Sequence, residues 1–213
     1  MGIENLKLYD PKAGASLGVN RLPHWEQPER TYFITFRAAD SLPHGLVAEL
    51  QTRLDAWMEN HPKPWSEEVA AEYWEHFGSR IENWLDESHG ECVFRRPECA
   101  GIMRVVLAAS DGKLCTLHSW VVMPNHIHAL FSPNRAATLP ELTKKWKGAS
   151  SRGINRFMRR TGTFWQKDYF DRLVRTTEHF WRCARYIRKN PMNLPSGDFL
   201  LWEADWVTKA LDL

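Results

Sequence analysis

Val121-Val122-Met123-Pro124-Asn125-His126-Ile127-His128-Ala129-Leu130-Phe131 is the stretch on which the fold of this chain turns. Apolar runs flank a Pro-Asn turn, which predicts two strands joined by a connection too short for a crossover, and so an antiparallel hairpin. Side chains alternate along a strand. His126 and His128 therefore share one face, about 7 Å apart along the chain, while Ile127, Ala129 and Phe131 share the other and can enter a core. Two imidazoles side by side on a rigid element are able to share one metal ion. Imidazole suits zinc, copper, iron and nickel, and manganese when carboxamide or water oxygen completes the shell. The same spacing also describes two ordinary polar residues on a solvated face. The metal reading thus requires a third ligand and a reacting group elsewhere in the chain.

Working outward, Arg30 to Arg37 is β-branched and aromatic and predicts a first strand. Leu46, Leu50, Leu54 and Trp57 give a helical stripe after Pro43, and Val69, Tyr73, Phe77, Ile81 and Trp84 give another from Ser66 to Ser88. Pro97 opens a helix to about Ala109. Leu114 to Val122 and His126 to Ser132 form the hairpin. Leu139 to about Arg160 reads as a long basic helix with Pro140 in its first turn. Phe170 to Val174 reads as a fourth strand, and a last helix from Thr177 to about Asn190 stops at Pro191. The order is βαββαβ-like. It predicts an α+β ferredoxin-like or RRM-like sandwich, a four-stranded antiparallel sheet with helices on one face. An N-terminal arm (1–28) precedes this domain (29–191), a helical insertion (about 61–92) interrupts it, and an apolar, acidic tail (192–213) is expected to pack back over it.

Composition bounds the function. A chain of 213 residues, 43% apolar and 25% charged, is long enough for one domain with a real core. No long apolar run or charged-apolar-small leader is seen, so no membrane span or signal peptide is expected. Cys92, Cys99, Cys115 and Cys183 are scattered without a C-x-x-C pair, as free thiols in a reducing cytoplasm would be. The net charge of +2 hides an asymmetry: Thr143 to Asn190 holds 14 Lys+Arg against 3 Asp+Glu, and the remainder holds 14 against 23. The basic block also carries Trp146, Phe157, Phe164, Trp165, Tyr169, Phe170 and Trp181. Cations for phosphates and flat rings for unstacked bases are what single-stranded nucleic acid needs. A solvated basic helix with core aromatics is the plainer alternative, and most of the eleven Trp are expected to be core or half-buried.

Within the block, Tyr186 and Asn190 lie four apart on one helix face, with Arg182 one turn earlier. A phenol among arginines is a candidate nucleophile toward phosphorus, and the carboxamide of Asn190 offers an oxygen to a metal. A lone helix tyrosine is more commonly a half-buried packing residue.

Two motifs in this order carry a resemblance. Trp120-Val121-Val122-Met123-Pro124-Asn125-His126-Ile127-His128 resembles the HUH motif of single-strand DNA transposases, and Arg185-Tyr186-Ile187-Arg188-Lys189-Asn190-Pro191 resembles their single-tyrosine helix. Leu22-Pro23-His24-Trp25, Thr31 to Arg37 and Phe164 to Asp171 look like the REP-associated tyrosine transposases in particular. The resemblance implies that His126, His128 and Asn190 bind Mg²⁺ or Mn²⁺ and that Tyr186 attacks single-stranded DNA, leaving a 5′-phosphotyrosine link and a free 3′-OH. It implies a REP hairpin as substrate, its backbone gripped by Lys144, Lys145, Lys147, Arg152 and Arg156. Arg182, Arg185 and Lys189 on the tyrosine helix would add DNA contacts, and Arg21, His24 and Trp25 would read a tetranucleotide beside the hairpin foot. Cytoplasmic, nucleoid-associated work as a monomer or homodimer follows. A non-catalytic hairpin-binding protein and a rolling-circle replication initiator or relaxase are the alternatives.

Overall fold

The computed structural model describes residues 2–14, 16–18, 24–62 and 65–212. A short two-stranded sheet, β1 (Ser16–Gly18) and β2 (His24–Glu26), precedes the main sheet. That sheet takes β3 (Tyr32–Arg37), β4 (Cys115–Val122), β5 (His126–Pro133), β6 (Phe170–Leu173) and β7 (Leu200–Glu203) in the order β6-β3-β5-β4-β7, all antiparallel. The hairpin β4–β5 forms as its sequence requires, with Val122 opposite Ile127. A bulge between Leu117 and Ser119 shifts the register by one. Cys115 and Leu117 before it therefore face the same core as Trp120 and Val122 after it.

Two expectations need correction. The sheet has five strands, because the tail adds β7 alongside β4, with Trp120 opposite Trp202. Gly197, at a φ of 101° that favours glycine, helps turn the chain before β7. Helices also cover both faces, since the central strands are apolar on both. Ile34, Phe36, Ile127, Ala129 and Phe131 pack under α4 (Pro97–Ala108) and α5 (Leu139–Phe157). Phe33, Val121 and Leu130 pack under α6 (Thr177–Lys189) and α7 (Asp205–Leu211), with Ile3, Leu6 and Leu8 of the N-terminal segment beside them.

Capping fixes where α5 and α6 begin. Thr138 and Glu141 satisfy each other's backbone N–H groups at the start of α5 in a capping box. On α6 the cap is Thr176, one residue before the expected Thr177; its Oγ1 accepts from His179 N at 3.1 Å. The helix expected after Pro43 forms as α1 (His44–Asn60), and the helical segment that follows packs against it with α2 (Glu67–Tyr73), a π-helical turn and α3 (Ser79–Asp86). Together they have small cores of their own, around Leu54, Trp65, Tyr73 and Phe77 and around Leu42, Ile81 and Leu85, both touching Phe170 of the edge strand. No tryptophan among the described side chains is exposed, the four cysteines are free and buried, and no helix among the described residues is long and apolar enough to cross a membrane.

Candidate active site and nucleic-acid interface

The face of β5 that carries His126 and His128 lies under α6, so both imidazoles are buried rather than solvated. Their Nε2 atoms meet at 3.0 Å. Each Nδ1 has a polar partner: Asn125 Oδ1 at 2.8 Å for His126, and Thr35 Oγ1 at 2.8 Å for His128. Asn125 is itself held, donating to the carbonyl of His89 at 2.8 Å. When Nδ1–H donates to these oxygens, both Nε2 lone pairs turn toward the same point, which is how outer hydrogen bonds orient metal-ligating histidines. Burial pushes the pKa of His126 down to about 3. It lowers that of His128 well below the ordinary value, with His126 and Arg172 adding to the effect. Both rings are therefore neutral at physiological pH, the form that binds metals.

Tyr186 reaches this pair from the same chain. Phe180, Cys183, Ala184 and Ile187 seat α6 on the sheet, and the next position around the helix places the Tyr186 ring edge-on at 5.0 Å from His128 and 5.9 Å from Phe33. Its hydroxyl is buried without a hydrogen-bond partner. Burial raises its pKa above the ordinary phenol value, as do the charges of Glu82 and Asp86, while Arg172 and the adjacent Asn190 carboxamide work the other way. The phenol thus needs added positive charge to ionise. Asn190 Nδ2 donates to Asp86 Oδ1 at 3.0 Å, and its Oδ1 is buried and unpartnered.

An open cleft of about 340 Å³ borders Tyr186, lined also by Phe33, Glu82, Arg172, His179, Arg182 and Cys183. Arg172 and Glu82 lie 3.7 Å apart. Burial lifts Glu82 to about 7 against the pull of Arg172 and lowers Arg172. Among the described residues no three His, Cys, Asp or Glu side chains gather as a metal cluster. The donor set here is two imidazoles with a carboxamide oxygen in reserve, which suits a cation that also takes oxygen from a substrate. The orphaned Asn190 oxygen and the converging Nε2 atoms fit such an ion.

The expected DNA contacts divide. Lys144, Lys145, Arg152 and Arg156 on α5 and Arg182, Arg185 and Lys189 on α6 are exposed and free to meet phosphate. Lys147 is not: its ammonium donates to the carbonyls of Gln166 at 2.6 Å and Lys167 at 2.8 Å, and burial lowers its pKa to about 8. His24 is buried with Nε2 on Asp168 Oδ1 at 3.0 Å and Nδ1 on Asp171, so neither nitrogen is open to a base. Trp25 is half-buried, and Arg21, with Leu22 and Pro23, lies outside the described residues. Sequence reasoning passed over Thr35, Asn125, Glu82, Asp86 and Arg172. Asn125 stood in the hairpin turn itself, and Glu82 and Asp86 stood at helical spacing.

Residues 91–190 match the model of the IS200-like transposase family. A solved structure of a REP-associated tyrosine transposase bound to a REP hairpin is 14% identical, with 79% of this chain and 70% of that chain covered and a TM-score of 0.39. A protein of Deinococcus radiodurans R1 assigned as a transposase is also 14% identical, with 78% and 93% covered and a TM-score of 0.33. No curated protein sequence matches. His126, His128, Tyr186 and Asn190 all fall inside the family match, so over residues 91–190 this chain is similar to the IS200-like transposases.

Proposed function

We propose that this chain cuts and rejoins single-stranded DNA at REP-type hairpins, through a covalent link between Tyr186 and a 5′-phosphate. The observation that carries the reading is the meeting, within one chain, of the Tyr186 ring with an imidazole pair whose Nε2 atoms converge at 3.0 Å. Tyr186 Oη attacks phosphorus, the P–O3′ bond breaks, and the strand leaves with a free 3′-OH. The phenol gives up one proton and the departing oxygen takes one, so none is consumed. Rejoining is the reverse attack by a 3′-OH and uses no nucleotide cofactor.

His126, His128 and the Asn190 oxygen would hold Mg²⁺ or Mn²⁺, which would supply Lewis-acid polarisation of the scissile phosphate. Thr35 and Asn125 keep the two rings in the required orientation, and Phe33 holds the phenol edge-on. Arg182 lines the cleft as a cation for the flanking phosphate, and the exposed basic residues of α5 supply the electrostatic grip on the hairpin backbone. Because tyrosine and histidines come from one chain, a monomer contains the whole set. Such a substrate would put its work at the chromosome, in the cytoplasm.

The test is cleavage of an end-labelled single-stranded REP hairpin with Mg²⁺ or Mn²⁺ on a denaturing gel. Wild type is expected to cut, and Tyr186→Phe and His126→Ala to bind without cutting. Tight binding with no cut strand under any divalent ion would refute the enzyme and leave a hairpin-binding protein.

A further inference from the structure

The helical insertion had no function legible in its sequence, yet its last helix ends against the tyrosine helix. On α3, Ile81 and Leu85 are buried in the insertion's own core. Glu82 and Asp86, one turn apart, share a face. On α6, Tyr186 and Asn190 have the same spacing. The structure sets one pair against the other: Asp86 Oδ1 accepts from Asn190 Nδ2 at 3.0 Å, and Glu82 lines the cleft with Tyr186.

A carboxamide has two chemically opposite ends of nearly equal size, and its terminal torsion turns readily. Only the oxygen can bind a cation. A carboxylate can accept only from the nitrogen, so a carboxylate on one side decides which way the amide points. Asn190 Oδ1 is left buried with no hydrogen-bond partner, beside the equally unpartnered Tyr186 hydroxyl, and a cation would satisfy it. We infer that Asp86 is a positioning residue, fixing the Asn190 carboxamide so that its oxygen is presented to the cation held by His126 and His128. This rests on the reading of Asn190 as third ligand. Asp86 then does for the carboxamide what Asn125 and Thr35 do for the imidazoles, and the insertion becomes a wall of the active site.

The experiment is a Mn²⁺ titration of the full chain without DNA, followed by the electron paramagnetic resonance of free Mn²⁺, with a thermal melt of each variant. Asp86 is exposed, so Asp86→Ala should fold, and Asp86→Ser repeats the test should it not. Asp86→Ala is expected to weaken Mn²⁺ binding about 10- to 100-fold, the usual loss for an outer hydrogen-bond partner of a metal ligand. Asp86→Asn, which keeps an accepting oxygen, should restore most of it. Unchanged binding in Asp86→Ala, with weakened binding in Asn190→Ala, would overturn the inference and leave the site reading intact. Asp86→Asn as weak as Asp86→Ala would also overturn it, because charge rather than orientation would then matter. Equal binding by wild type and Asn190→Ala, or none by either, would overturn both.

Discussion

Replacing His24 by alanine removes the cation between Asp168 and Asp171. The ring is 2% exposed, touches a carboxylate at each nitrogen and stacks on Tyr169 with centroids 4.4 Å apart. Burial works against its charge, but the hydrogen bonds and fields of Asp168 and Asp171 outweigh it and raise its pKa to about 9. A rise from 6.5 to about 9 makes the imidazolium worth about 3 kcal/mol more to the folded chain than to the unfolded one. Asp171, whose own pKa burial raises despite His24, would lose this cation partner in the variant, and breaking a buried pair costs about 3–5 kcal/mol. We therefore expect a loss of about 3 kcal/mol near neutral pH, seen as a fall in Tm of roughly 6–12 °C for a chain of this length. The sign of the pH dependence follows from a raised pKa. The contribution is complete below about pH 6.5 and disappears as pH rises through about 9. Urea denaturation of both proteins, followed by circular dichroism between about pH 6 and 10, reads the difference directly. Equal midpoints near neutral pH, or a gap that stays constant to about pH 10, would refute the clamp.

Three further outcomes are expected. Gly153→Ala places a methyl 2.8 Å from Ile102 Cγ2 where α5 crosses α4 and should cost about 1–3 kcal/mol by overpacking, read as a lower urea midpoint; an unchanged midpoint would mean that the helices part freely. Arg152→Ala should lower the salt dependence of hairpin binding by roughly one phosphate contact, whereas Lys147→Ala should lower stability and leave that slope alone; the reverse pattern in a salt-titrated binding assay would contradict the placement of Lys147. Arg188 pairs with Glu203 at 2.6 Å and Asp212 at 2.7 Å, tying the tyrosine helix to the tail. Arg188→Ala should cost about 2 kcal/mol and speed amide exchange in β7 and α7 before the rest of the sheet; uniform exchange would refute a local clamp.

The hairpin and both helix faces were readable because period-two and period-3.6 patterns there were long and unmixed. β7 was not: four residues at a sheet edge, after a glycine turn, carry too little alternation to separate from a packed tail. The second covered face was hidden for a different reason. Phe33, Val121 and Leu130 do appear in the sequence, but alternate positions on that face carry His126, His128 and Thr35, which read as solvated until α6 is laid over them. The histidine pair, the tyrosine and the asparagine were legible by spacing, since i, i+2 on a strand and i, i+4 on a helix are local geometry. What orients them was not. Thr35 lies 93 positions from His128, and Asp86 lies 104 from Asn190, so only the fold brings them together. The expected DNA contacts showed the same limit: charge count marked the basic face, but Lys147 within it and His24 of the N-terminal arm are spent inside the molecule, on carbonyls and on carboxylates.

The most direct measurement incubates the protein and Mn²⁺ with a single-stranded REP hairpin, denatures the mixture and maps any DNA-linked peptide by mass spectrometry. The proposed chemistry requires a phosphodiester adduct on the peptide carrying Tyr186, abolished in Tyr186→Phe and in His126→Ala. A cut strand with no adduct on Tyr186, or an adduct that survives Tyr186→Phe, would contradict it.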